Sequence, residues 1–125
     1  MKLSNADIYG AKGPLNELMG IRLPVRVAFE LAQLARKLNS HREDIESVRV
    51  GLIKTYGGVD KDNPKQMSVP EDSENYPQFA KEMDELFDQE IEVVFQKVKL
   101  PEEVDGVAIL IEASVLMALQ KFVEV

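Results

Sequence analysis

Residues that could carry out chemistry are few in this chain, and none completes a catalytic pattern. His41 is the only histidine among 125 residues, and there is no cysteine. These two facts exclude a pair of histidine metal ligands, a thiol nucleophile and a cysteine-based zinc site. His41 also has no serine partner at a spacing that suggests nucleophilic catalysis. We therefore predict no catalytic residue.

One acidic segment partly fits the spacing of a calcium-binding loop. Asp60, Asp62 and Glu71 stand at positions one, three and twelve of an EF-hand frame. Pro64 occupies the fifth position, where an oxygen ligand is needed, and Lys65 occupies the sixth, where the turn needs glycine. Pro64 therefore removes an oxygen ligand and Lys65 removes the glycine of the turn, so the sequence argues against a calcium site.

A second set of carboxylates lies on a predicted helix. Asp84 and Asp88 are four residues apart and share one helical face, as metal-binding carboxylates do in helical bundles. Such sites also need ligands from facing helices, and acids on the outer face of an amphipathic helix are the ordinary arrangement. We predict no metal and no cofactor, and we expect the protein to be non-enzymatic.

Composition and charge narrow the class of protein further. The hydrophobic content of 45% and the charged content of 30% are typical of one globular domain, residues 1–125. Residues 60–92 hold eleven acidic and three basic side chains, whereas residues 1–59 hold nine basic and six acidic ones. This acidic middle argues against nucleic acid as a partner, because binding to phosphates requires lysine and arginine. The chain also lacks a membrane-spanning apolar run and the apolar core of a signal peptide, so we expect a cytosolic protein without a membrane partner.

The strongest pattern in the chain is a seven-residue repeat in its first half. Its positions follow one another at alternating steps of four and three, the a/d pattern of a coiled coil. The positions of this seam are Val27, Leu31, Leu34, Leu38, His41, Ile45, Val48 and Leu52. A helical seam of this length must be covered by the rest of the chain, by a second copy or by another protein.

The flanking residues predict the ends of this helix. Pro24 suits a first helical position and Gly57-Gly58 end the pattern, so the predicted helix spans about 24–56. An alternative is a break in the middle, because Ser40 and Glu43 have the spacing of a capping box. The seam keeps its register across this point, which favours one continuous helix.

The width of the apolar surface varies along the predicted helix. The residues that widen the surface are Ala28, Phe29, Ala32 and Ala35 near the start, and Ile53 and Tyr56 near the end. The middle keeps only the narrow seam between charged residues. Wide apolar surfaces typically face a globular core, and narrow ones face another helix. We therefore expect the two ends to pack on the body of the protein and the middle to pair with a second copy. The predicted interface residues are Leu34, Leu38, His41, Ile45 and Val48.

The remainder of the chain predicts shorter elements. Residues 57–75 are expected to form a polar connector, and residues 76–125 an α/β part. In the latter we predict a helix over about 77–90, a strand over 91–98 from its β-branched residues, and a last helix over about 112–123. The predicted fold is mostly α with a small β component (α+β): one long helix, two shorter helices and a short sheet or hairpin.

Several segments together resemble small, functionally uncharacterised proteins encoded by tailed phages and prophages. The segments that carry the resemblance are Leu15-x-x-Leu18, Leu23-Pro24-Val25, Ala28-Phe29-x-Leu31-Ala32-x-Leu34, Leu52-Ile53-Lys54-x-Tyr56-Gly57 and Phe79-x-Lys81-Glu82-x-x-Glu85-Leu86. The resemblance covers most of the chain and brings no catalytic residues. It implies a virion or assembly component, or a small protein directed at a host machine, and thus a place in the host cytoplasm or on the virion.

The sequence thus predicts a protein that works by contact. The first expectation is an interaction or assembly protein of the phage type that forms homo-oligomers through the seam, with a phage structural protein as a further partner. The alternative is a regulator or inhibitor that binds a host enzyme, such as a polymerase or nuclease, through the acidic face of residues 60–92. The two differ in salt dependence, because contacts between charges weaken as salt rises and an apolar seam does not.

Overall fold

The structure is a computed structural model that describes residues 1–59 and 67–125. These residues form five helices and four pairs of short strands, of which three are antiparallel and one is parallel. The helices are α1 (Asn5–Gly10), α2 (Lys12–Met19), α3 (Val25–Tyr56), α4 (Tyr76–Asp88) and α5 (Ala113–Ala118). The strands are β1 (Lys2–Ser4), β2 (Gly58–Val59), β3 (Met67–Ser68), β4 (Glu90–Glu92), β5 (Val98–Lys99), β6 (Glu103–Val104), β7 (Val107–Ala108) and β8 (Val123–Glu124). The predicted fold class, mostly α with a small β component around one long helix, is confirmed.

Helix α3 is the longest element and has no break. It runs for 32 residues, about 48 Å at 1.5 Å per residue, so the continuous helix is confirmed and the alternative break near Ser40 is wrong. Pro24 is the residue before the first helical position and not the first helical residue. At the other end the Gly57 N–H donates to the Ile53 carbonyl (2.7 Å), after which the chain turns into β2.

The core of the protein lies along one side of α3. Helices α1, α2 and α4 pack against this side, together with β3 and β5. The seam positions buried there are Val27, Leu31, Leu34, Leu38 and Ile45. Leu3, Leu119 and Phe122, which come from the two ends of the chain, are also buried in this core. The single chain therefore covers much of its own seam.

The N-terminal segment is fixed to the rest of the molecule by hydrogen bonds. A capping box starts α1: the Asp7 N–H donates to Ser4 Oγ and the Ser4 N–H donates to Asp7 Oδ2, both at 3.1 Å. The buried side-chain amide of Asn5 donates to the Leu86 carbonyl at the end of α4 (2.8 Å). Strand β1 pairs antiparallel with β4, with Lys2 opposite Glu92. These contacts hold α1 and α2 over the seam.

The number of shorter helices differs from the prediction. The described residues contain four of them, not two, because the first twenty residues form both α1 and α2. Gly13-Pro14 lies in the first turn of α2. Proline is tolerated there because the first N–H groups of a helix have no intrahelical acceptor.

The two C-terminal predictions that rest on local pattern are only partly right. The predicted strand over 91–98 is wrong in its middle: β4 pairs with β1, whereas β5 pairs parallel with β8. Between β4 and β5 Val93 is buried and Val94 is exposed. In this stretch the chain leaves its pairing with β1, and it pairs with β8 only from Val98. The last helix ends at Ala118 and not near Val123, because Val123 pairs with Val98 in the second strand pair.

One turn and one further strand pair complete the fold of the described residues. Asp105 and Gly106 both have positive φ (54° and 79°) and connect β6 to β7, as expected for a two-residue hairpin turn. Within the predicted polar connector, β2 and β3 form an antiparallel pair with Gly58 opposite Ser68. This pair brings the backbone of Ser68 against the end of α3.

At Gly57 the backbone of Ser68 comes close to the end of α3. A Cβ atom at this position would overlap the Ser68 carbonyl oxygen and lie 2.8 Å from the Ile53 carbonyl oxygen. We expect Gly57→Ala to lower the free energy of unfolding by about 1–3 kcal/mol, as overpacking typically does. Urea unfolding followed by circular dichroism measures this change.

Gly51 supplies the matched control. It lies inside α3, and a Cβ there would meet no other atom within 4 Å. Gly51→Ala should therefore raise the free energy of unfolding by about 0.5–1 kcal/mol, because alanine favours a helix interior. Equal effects of the two substitutions would contradict the close contact between Gly57 and Ser68.

Candidate interaction surface

The structure separates the five predicted interface residues into two groups. Leu34, Leu38 and Ile45 are only 3%, 3% and 4% exposed in the single chain. They are core residues, so the expectation that they meet a second copy is corrected. His41 is partly buried, and Val48 is 49% exposed. These two alone among the five have surface that a partner can reach.

The physical reason for this correction is the source of the covering helices. A narrow apolar seam indicates that another helix lies against it, but the pattern is the same whichever chain supplies that helix. Here α1, α2 and α4 of the same chain supply it. Helices do lie against the seam, but the pattern alone does not say which chain provides them.

At the start of α3, residues that were predicted to pack on the body of the protein are exposed. Val25 is 86% exposed and Phe29 is 63% exposed, and Ala28 and Ala32 are exposed as well. The expectation that this wide apolar region packs on the body of the protein is wrong. At 100° per residue, Val25 and Phe29 point about 150–170° away from the mean direction of the buried seam. They are apolar side chains on the side of α3 that faces away from the core.

We call Val25, Ala28, Phe29 and Ala32 the outer stripe. It consists of two neighbouring i, i+4 rows on the helix surface. One row is large (Val25 and Phe29) and the other is small (Ala28 and Ala32). The outer stripe therefore has a ridge beside a shallow groove, and both are apolar.

The charged residues next to the outer stripe are paired within the chain. Arg26 Nε lies 3.4 Å from Glu30 Oε1 on α3, and Arg22 Nη2 lies 3.1 Å from Asp105 Oδ2 in the β6–β7 turn. All four side chains are exposed or partly exposed, so these pairs contribute little to stability. Their effect is that the flanks of the outer stripe carry opposite charges close together.

A second surface feature is the acidic part of the chain around α4. The exposed carboxylates in residues 67–92 are Glu71, Asp72, Glu74, Asp84, Glu85, Asp88, Glu90 and Glu92. Of these, only Glu92 forms an ion pair within the described residues, with the Met1 ammonium group (2.7 Å). Asp60 and Asp62 of the candidate calcium loop lie outside the described residues. Within residues 1–59 and 67–125, no three potential ligands come together in a metal-binding group.

Sequence reasoning missed a polar network between α1 and α3. The Tyr9 hydroxyl donates to Glu46 Oε2 (2.6 Å), and Arg49 donates to both oxygens of Glu46 (2.7 and 3.0 Å). The Tyr9 ring packs edge-on against Phe87, and the Arg42 guanidinium lies 5.1 Å from its centroid. No motif marks this network in the sequence, because Tyr9 and Glu46 are 37 residues apart.

Hydrogen bonds shift the pKa values within this network. Arg49, followed by the Tyr9 hydroxyl, lowers the pKa of Glu46 from 4.5 to about 2. Glu46 as an acceptor raises the pKa of Tyr9 above its usual value of 10. Glu46 is therefore ionised and Tyr9 neutral at physiological pH, an arrangement that orients both side chains and offers no group poised for proton transfer.

Comparison with models of protein families, with curated proteins and with solved structures finds no match for this chain. None of the helices in the described ranges is long and apolar enough to cross a bilayer.

The placement of Leu38 and Val48 gives a paired test. Leu38→Ala should lower the free energy of unfolding by about 2–5 kcal/mol, because it removes a buried side chain and leaves a cavity. Val48→Ala should change it by less than about 1 kcal/mol, since Val48 is already half exposed. Thermal or urea unfolding of both variants measures the difference. A mild effect at Leu38 would show that the chain alone does not cover the middle of the seam.

The Glu46 network gives a pH-dependent test. Because the pKa of Glu46 is lower in the folded chain, its contribution to stability is complete above about pH 4.5 and is lost as the pH falls towards about 2. The difference in unfolding free energy between the wild type and Glu46→Gln should therefore narrow over this interval. Urea unfolding at several pH values measures it. A difference that stays constant would contradict the ion pair with Arg49.

Proposed function

We propose that the protein is a non-enzymatic interaction or assembly protein of the phage type, and that two copies pair through the outer stripe of α3. The observation that carries the proposal is the exposure of Val25 and Phe29 on the side of α3 opposite the core. Clustered large apolar side chains at a surface are typical of protein contacts. The viral context comes from the resemblance in sequence alone.

The outer stripe is complementary to itself in size. If two α3 helices cross antiparallel about an axis between residues 28 and 29, Phe29 of one copy meets Ala28 of the other, and Val25 meets Ala32. The large row of each helix then lies in the small row of its partner, which is the packing of i, i+4 ridges into i, i+4 grooves. Each contact joins a large and a small side chain, so neither a void nor an overlap results.

Charge also permits this pairing. The Arg26–Glu30 and Arg22–Asp105 pairs place opposite charges together beside the outer stripe, so a second copy is not repelled there. Such a two-fold contact uses the same patch on both copies, the commonest arrangement in homo-oligomers. Because four residues per copy bury less area than a typical stable interface, we expect association that depends on concentration.

A second candidate function is a regulator that binds a basic surface of a host enzyme through the acidic part of the chain. The observation that favours it is the set of exposed carboxylates on α4, Asp84, Glu85 and Asp88, none of which pairs with a described cation. Such unpaired charges attract a partner of opposite sign and speed its association. This function does not exclude pairing of copies through the outer stripe.

Cysteine cross-linking tests the pairing and its direction, since the natural chain has no cysteine to interfere. Ala28→Cys should form a disulfide-linked dimer under mild oxidation, because position 28 lies next to the proposed axis. Ala32→Cys should not, since the two copies of position 32 lie about 10 Å apart along the helices. Ser114→Cys, an exposed position on α5, is the control. Equal cross-linking at 28 and 32 would contradict the antiparallel arrangement.

Light scattering over a dilution series complements the cross-linking. The mass should rise with protein concentration, and Phe29→Glu should abolish the rise while circular dichroism stays unchanged. The rise should persist as salt increases from about 50 to about 500 mM, whereas a contact through the acidic surface would weaken. A monomer at every concentration would overturn the proposed pairing.

A further inference from the structure

A cleft opens between the N-terminal helices and one side of α3. Its volume is about 360 Å³, at the lower end of the range for small-molecule sites. Ile8 and Leu15 line it from α1 and α2, and Ala35 and Leu38 line it from α3. Because Ile8, Leu15 and Leu38 also belong to the core, the apolar floor of the cleft is held rigidly.

The charged side chains around this cleft all have the same sign. Lys12, Arg36 and Arg42 line it together with the amides of Asn16 and Asn39, and no carboxylate of the described residues does. Two acids lie close to this lining: Glu43 accepts a hydrogen bond from Asn39 (3.3 Å), and the charge of Arg42 helps to lower the pKa of Glu46. None of the three cations forms an ion pair within residues 1–59 and 67–125. In a chain of net charge −7, this is a local surface that attracts anions.

Arg42 is held at the cleft by an aromatic ring and not by a carboxylate. Its guanidinium lies over the Tyr9 ring, which the hydrogen bond to Glu46 keeps in place. Its Nε is buried and has no hydrogen-bond partner in the described part of the chain. Other parts of the Arg42 side chain line the cleft, and an anionic oxygen is the acceptor that a guanidinium binds best.

We propose that this cleft binds a small amphipathic anion. A short hydrocarbon or aromatic body lies on Ile8, Leu15 and Leu38, and a carboxylate or phosphate head lies among Lys12, Arg36 and Arg42. The inference goes beyond the pairing of copies and does not depend on it, because no residue of the outer stripe lines the cleft. Both parts of the ligand are needed, since neither the apolar floor nor the cations alone provide the whole surface.

Calorimetric titration of the full chain tests this site. The probes are octanoate and octyl phosphate, with 1-octanol as the body without a charge and acetate as the charge without a body. We expect one saturable site for an anionic octyl compound, and at least about tenfold weaker binding of 1-octanol and acetate. Repeating the titration with Phe29→Glu removes any contribution from pairing, so the two proposals fail or succeed separately.

Matched variants locate the site. Lys12 and Arg36 are exposed, so Lys12→Gln and Arg36→Gln should leave the fold intact. Together they should weaken octanoate binding about tenfold or more. Arg26→Gln, on the same helix but outside the cleft, should leave the affinity unchanged. Absence of saturable binding for both anions, equally tight binding of 1-octanol, or an equal loss in Arg26→Gln would each overturn the proposal.

Discussion

The burial of the α3 seam by the same chain is the constraint on which the rest of the structure depends. The apolar side of a 32-residue helix is unfavourable in water unless it is covered, and this chain covers it with α1 and α2 before the helix and with α4 after it. The N-terminal helices are held in place by the Asn5 hydrogen bond to Leu86 and by the pairing of β1 with β4. Once this cover is in place, the opposite side of α3 is the side that remains for other molecules.

The sequence predicts those features whose cause is local. The long helix, predicted over about 24–56 and observed from Val25 to Tyr56, follows from residues that are close along the chain. The strand over 91–98 and the last helix were only partly predictable, because partners that are distant along the chain decide where they end. The first part of the strand pairs with β1 only, and Val123 pairs with Val98 of β5 and not with the helix. The interface residues Leu34, Leu38 and Ile45 were recognised as contact residues, but a repeat pattern does not say which chain makes the contact.

Helix α3 thus serves three surfaces at once. Its seam forms the core, its outer stripe faces away from the core, and one flank forms a wall of the cationic cleft. Many of the exposed carboxylates lie in and around α4, whereas the charged side chains that line the cleft are all cations. This separation explains how a chain of net charge −7 keeps a local site that favours anions.

The long-range pairing of the N-terminal segment also affects how the protein is made. Lys2 finds its strand partner only at Glu92, and Asp7 finds its ion-pair partner only at Lys121 (2.9 Å). During synthesis, at roughly 5–20 residues per second, α3 therefore emerges several seconds before the segments that complete its cover. For that interval the later segments that pack against α3, such as α4, are not yet available, and neighbouring nascent chains on one messenger RNA lack the same part of the cover. The seam of α3, which is buried in the folded protein, is thus open to non-native contacts during synthesis.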